Sequence, residues 1–147
     1  MRSGLKSCIG FFLLLWTGIV LPGACTCKGG GDVISEMREF DSFFSTHVDS
    51  VATAPRRMRT QVLQRMKAAK DSLVRYNYLS VALKTCLATS DIDSAQLLIR
   101  EIEDFTGRQP FSHRLADLQS ECLNMKGNIY SRKGYIDSAE VLLQESL

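Results

Sequence analysis

The chain has 147 residues, 45% hydrophobic and 23% charged, with three prolines, which excludes disordered and collagen-like chains and fits one domain with one modest core. Its formal charge of +2 is carried by Arg2 and Lys6, because from Thr26 onward 16 Lys and Arg face 16 Asp and Glu. A neutral chain with no basic stripe along its whole length argues against a nucleic-acid partner.

Residues 1–24 have the order of a secretory signal peptide. Arg2 and Lys6 form a positive start, Cys8 to Leu21 is an uncharged apolar run of 14 residues, and small residues follow at Gly23 and Ala24. The run is short for a bilayer span, which needs roughly 20 residues; an uncleaved signal anchor is the alternative if Pro22 and Gly23 extend it. The stretch Leu21-Pro22-Gly23-Ala24-Cys25 resembles a bacterial lipobox, with Pro22 standing where that pattern has an aliphatic residue. The resemblance implies lipid attachment at Cys25, against a reading of Cys25 and Cys27 as a leader end or a thiol pair. Lys28-Gly29-Gly30-Gly31 completes a flexible tether over residues 25–32.

Residues 33–69 read as N-terminal helices. Val33, Ile34, Met37, Phe40, Phe44 and Val48 recur at three- and four-residue spacing, one amphipathic helix. A break at Thr53-Ala54-Pro55 precedes a second, with Met58, Val62 and Met66 inward. Its opposite side carries Arg56, Arg57, Arg59, Arg65, Lys67 and Lys70, either a solvated face or a contact for anionic lipid head groups.

Two helical hairpins follow over residues 70–147. Leu73, Tyr76, Leu79, Leu83 and Cys86 share one face of a helix over 72–89; Leu115, Leu118, Cys122, Met125, Ile129 and Tyr130 share one face of 113–133. Ser112 is placed to cap the latter and Gly134 to end it. Ile92-Asp93-Ser94-Ala95-Gln96-Leu97-Leu98 recurs 44 residues later as Ile136-Asp137-Ser138-Ala139-Glu140-Val141-Leu142. Each copy opens the second helix of a hairpin, with Asp93 and Asp137 as expected caps and Ala95 and Ala139 permitting close helix approach. Cys86 and Cys122, on apolar faces, are expected to be buried free thiols.

Leu123, Gly127, Tyr130 and Ala139 stand at the spacing of the tetratricopeptide repeat, which this region resembles. The first hairpin matches less well, with Leu83 and Cys86 where that pattern has glycine and tyrosine. Lys70-Asp71-Ser72-Leu73, Lys84-Thr85-Cys86-Leu87, Arg108-Gln109-Pro110 and Arg114-Leu115 also resemble the periplasmic repeat regions of Gram-negative bacterial lipoproteins and membrane-bound sensor regulators, sensor histidine kinases among them. No run alternates with a strand period, so the class expected is all-α; the resemblance implies a helical-hairpin (TPR-like) solenoid of about two repeats, preceded by one or two additional helices. It further implies a concave groove faced by Asn124, Asn128 and Arg132, whose amides suit a peptide backbone and whose guanidinium suits a carboxylate.

No phosphate loop, nucleophile elbow or H-E-x-x-H is present, and His47 and His113 stand without catalytic or metal-ligating company. The sequence therefore points to an exported, membrane-tethered module of the bacterial cell envelope that binds a protein or peptide partner, with no catalysis, metal or cofactor. The alternative is the sensory input region of a truncated membrane signalling protein. The last repeat is expected to be incomplete, leaving the apolar stripe of residues 136–147 partly uncovered.

Overall fold

The computed structural model describes residues 30–147, which form seven α-helices and no strand. They are α1 (Gly30–His47), α2 (Ser50–Thr53), α3 (Pro55–Ala68), α4 (Ser72–Ala88), α5 (Ile92–Thr106), α6 (His113–Arg132) and α7 (Ile136–Glu145). The all-α class expected from periodicity is the class found. The signal peptide, the Cys25 lipidation site and the start of the tether lie outside the described residues. Gly30–Asp32, expected as tether, form the first turn of α1, where the Asp32 carboxylate is favourable for the helix dipole.

Helix α4 is the centre of the fold because it is apolar on two sides. Val74, Tyr78, Val81 and Ala82 face a first core with Met37, Phe40 and Phe43 of α1 and Met58 and Val62 of α3. Leu79, Leu83, Cys86 and Leu87 face a second core with Ile99 and Ile102 of α5 and Leu118, Cys122 and Met125 of α6. The spacing of Leu73, Tyr76, Leu79, Leu83 and Cys86 marks only the second face. A helix hydrophobic nearly all round offers no single stripe to read. In α1 the buried face is Met37, Phe40 and Phe43, with Phe44 partly covered, while Ile34, and Val48 just past the helix end, are 50% and 47% exposed. Tyr78 fixes that choice by standing edge-on to Phe40, 4.9 Å between ring centres, and tilted against Phe43.

Polar contacts set the registry between helices. Glu36 Oε2 of α1 accepts the backbone N–H groups of Lys70 and Asp71, each at 3.1 Å, tying α1 to the α3–α4 turn. Asp71 in turn caps α4 by accepting from Val74 N, and Ser112 caps α6 by accepting from Leu115 N, as its position implied. The cap of α5 is Asp91, which accepts from Ser94 N; α7 follows Tyr135 and has no side-chain cap. Asp93 and Asp137 are thus corrected from caps to first-turn residues, since both helices start before them, at Ile92 and Ile136. There they still favour the positive end of the helix dipole.

The 44-residue recurrence extends to the backbone of the two hairpin turns. Tyr135 N donates to Tyr130 O at 3.0 Å around Gly134, whose φ is +83°. Asp91 N donates to Cys86 O at 2.9 Å around Ser90, whose φ is +57°. Both are the six-to-one closure of a helix end by a left-handed residue, but the first turn uses serine where the second uses glycine. A left-handed Cβ costs energy that glycine avoids. Ser90→Gly is therefore expected to raise stability by about 0.5–1 kcal/mol in urea denaturation; a loss of stability would show that Ser90 is unstrained.

Candidate functional site

Helices α6 and α7 approach closely because Gly127 has no side chain. A Cβ at that position would meet Leu143 Cγ at 2.8 Å, Leu143 Cδ2 at 3.0 Å and the Ala139 carbonyl at 3.3 Å. Ala139 is buried in the same contact. In the preceding hairpin the equivalent of Gly127 is Leu83, which is fully buried in the second core.

Beyond this contact α6 and α7 form an open face. An open depression of about 410 Å³ is lined by Asn124 and Ser131 of α6 and by Ile136, Glu140, Leu143 and Gln144 of α7. Its floor is apolar: Ile136 is 60% and Leu143 is 36% exposed, and Leu147 lies open at the edge. The corresponding residues of the preceding hairpin are covered. Ile99, the counterpart of Leu143, is 3% exposed beneath α6, and Leu87, the counterpart of Ser131, is buried. The uncovered stripe expected over residues 136–147 is present, with a polar border.

The three residues inferred for a peptide groove are placed differently from one another. Asn124 lines the depression. Asn128, one turn on, is exposed and turns back, its Nδ2 donating to Asn124 Oδ1 at 2.9 Å and Asn124 O at 3.1 Å. Arg132 points to α4, where its Nη1 donates to Leu87 O at 2.7 Å. That bond neutralises a carbonyl at the C-terminal end of α4 and braces α6 against it. The amides form a pair beside the open face; the guanidinium is engaged elsewhere.

Other polar groups serve the fold. Of the basic residues on α3, Arg59 is drawn into a network with Thr85, Thr89 and Asp91. Arg65 pairs with Glu39 at 2.9 Å and covers the Phe43 ring at 4.3 Å. Arg56, Arg57, Lys67 and Lys70 stay exposed, so the basic surface is smaller than the sequence suggests. His47 Nδ1 bonds Phe43 O at 2.8 Å, closing the last turn of α1. Glu103 of α5 pairs with Lys126 of α6 at 2.6 Å. That hydrogen bond holds the ammonium above its ordinary range.

Cys86 and Cys122 are free and buried. Burial pushes the Cys122 thiol up to about 12, helped by Glu103, and raises Cys86 as well. Neither is a thiolate at neutral pH, so neither has the character of a reactive cysteine. Among the described residues no group of three or more His, Cys, Asp and Glu could hold a metal ion, and no helix is long and apolar enough to cross a membrane.

Sequence reasoning missed the carboxylate that α7 places on the open face, Glu140. Helix α7 carries Asp137, Glu140 and Glu145 and no cation, and none of the three is in an ion pair among the described residues. The signal was present in the one-letter string, but only the apolar spacing was read. Compared with known proteins, the chain matches no family model, no curated protein and no solved structure.

Proposed function

We propose that this chain is an interaction module of the cell envelope, exported through its leader, tethered at Cys25 and binding a protein partner on the α6–α7 face. The observation that carries this reading is the contrast between hairpins. The face that α6 covers on α5 is bare on α7, where Ile136, Leu143 and Leu147 are exposed together. Exposed apolar floors with polar borders are the ordinary anatomy of protein–protein contacts. The border residues Asn124, Asn128 and Gln144 suit a surface that is covered and uncovered, because they remain hydrated when free. The spacing of Leu123, Gly127, Tyr130 and Ala139 supports a tetratricopeptide-like hairpin as the scaffold.

A photocrosslinking residue placed at Gln144 or at Val141 of the full chain, in cells that express it, tests this reading. Gln144 lines the face. Val141 is 54% exposed, but its counterpart Leu97 remains 62% exposed even though α5 is covered, so Val141 faces away. The expected result is a discrete crosslinked protein from Gln144 and none from Val141. Equal crosslinking from both, or none from Gln144, removes the face as the binding surface.

A further inference from the structure

The bundle has two ends, and the described chain enters at one of them. Gly30 begins α1, and Glu36, fewer than two turns on, accepts the backbone N–H groups of Lys70 and Asp71. The entry therefore lies beside the end of α3 and the start of α4. Helix α5 returns antiparallel to α4, so Tyr76 in the second turn of α4 stacks on Phe105 near the end of α5, 3.8 Å between ring centres. Leu115 in the first turn of α6 joins the same core. The loop of residues 107–112, between α5 and α6, thus stands at the entry end. The turns at Ser90 and Gly134 make the opposite end.

The entry end is cationic and carries the most exposed aromatic side chain among the described residues. Lys67, Lys70, Arg75, Arg108 and Arg114 are all exposed, and none is in an ion pair among the described residues. Two carboxylates here are engaged with backbone, Glu36 on the α3–α4 turn and Asp71 as the cap of α4. The exposed acids are Asp32, Asp104 and Asp117. No acid stands between Asp104 and Asp117, a stretch that holds Arg108, His113 and Arg114. Every residue of the 107–112 loop is exposed. Phe111 is 77% exposed, and its one ring neighbour is His113, edge-on at 5.9 Å.

From this juxtaposition we infer that the entry end rests on an anionic lipid surface, with the Phe111 ring in the headgroup layer and Lys67, Lys70, Arg108 and Arg114 over lipid phosphates. The inference rests on the reading of Cys25 as a tether and adds an orientation of the domain on the membrane. Five residues separate Cys25 from Gly30, a reach of at most roughly 18 Å, so a lipid on Cys25 holds this end against the bilayer. A ring set among cations is the composition of an interfacial contact. The ring gains by leaving water, and the cations gain from the negative surface potential. That potential fades within a Debye length, about 8 Å at physiological salt. Arg56 and Arg57, at the start of α3 and about 20 Å from its end, therefore contribute little.

The full chain is reconstituted in vesicles of phosphatidylcholine alone, or of equal parts phosphatidylcholine and phosphatidylglycerol. An environment-sensitive fluorescent amino acid replaces Phe111 or, as the control at the opposite end, the 60% exposed Tyr135. Emission from position 111 is expected to shift to the blue on the mixed vesicles, at least about twice as far as on phosphatidylcholine alone. Emission from position 135 is expected to stay as it is in buffer. Lys67→Gln, Lys70→Gln, Arg108→Gln and Arg114→Gln together should remove most of the shift at 111 and leave the helical circular dichroism unchanged. No shift at 111 on the mixed vesicles, equal shifts from both positions, or equal shifts on both kinds of vesicle overturns the inference. Flotation reads the tether separately. A chain that floats through Cys25, and is released by Cys25→Ser, but shows no shift keeps the tether and loses the orientation. A shift that persists in Cys25→Ser keeps the lipid contact and loses the tether.

Discussion

Gly127→Leu is expected to lower stability by about 2–3 kcal/mol and to release α7 from α6. The substitution places at the second hairpin the residue that stands at Leu83 in the first. There the leucine fills a core between helices that leave room for it. At Gly127 the first added carbon already lies 2.8 Å from Leu143 Cγ, and the Ala139 carbonyl is 3.3 Å away. Gly127→Ala separates the two effects. It gains about 1 kcal/mol of helix propensity, and Leu143 has room to turn because it is 36% exposed, so its net effect is expected to lie within about 1 kcal/mol of zero. The measurement is urea denaturation together with far-ultraviolet circular dichroism, in which the leucine variant loses helix equivalent to α7. Adding Leu143→Ala to Gly127→Leu should recover part of the loss. A leucine variant as stable as the parent would mean that α7 does not rest on α6 at this point.

Arg59→Leu carries the other large effect, about 1–2 kcal/mol of stability, from the hydrogen bonds to the two threonines more than from the partly exposed ion pair. The guanidinium reaches from α3 to three side chains around the end of α4: Thr85 Oγ1 at 3.2 Å, Thr89 Oγ1 at 3.0 Å and Asp91 Oδ2 at 3.0 Å. Asp91 also caps α5 through Ser94 N, so one arginine joins α3, α4 and α5. Arg57→Leu, on the exposed side of α3, is the control and should change stability by no more than about 0.5 kcal/mol. The same network gives a pH signature. The Arg59 side chain, followed by the Ser94 contact, holds the Asp91 carboxyl below its ordinary value of 3.8. Its contribution is therefore complete above the unfolded-state value and is lost as pH falls through the lower folded value. Urea midpoints between pH 6 and pH 2 should fall less steeply for Arg59→Leu than for the parent. Parallel acid limbs would remove Asp91 from the balance.

The helices were legible because their buried residues repeat at helical spacing over many turns. The stripes of α3 and α6 were read nearly as they stand, with Met58 and Val62 buried in one and Leu115, Leu118, Cys122, Met125 and Ile129 in the other. Ser112 and Gly134 were legible as helix boundaries for the same local reason, a side-chain cap and a left-handed turn. The second face of α4 was not, because an apolar helix surrounded by neighbours carries no contrast between sides. Long-range polar bonds were also hidden. The spacing of Thr85, Thr89 and Asp91 gives no hint that Arg59, 26 to 32 residues earlier, lies among them. Arg132 shows the converse: its place on the Asn124–Asn128 side of α6 was readable, but its bond to Leu87 O depends on how α4 and α6 pack. The open face was half legible. Its apolar stripe followed from periodicity, whereas which residues of α7 face it, Glu140 but not Val141, emerged once α5 beneath α6 gave a covered counterpart for comparison.

Photocrosslinking from Asn124, on the α6 side of the open face, set against photocrosslinking from Arg57 on the exposed side of α3, tests most directly whether the α6–α7 face is the docking surface. A discrete crosslinked protein from Asn124 and none from Arg57 is the predicted result. Crosslinks from both positions alike, or none from Asn124, contradict it.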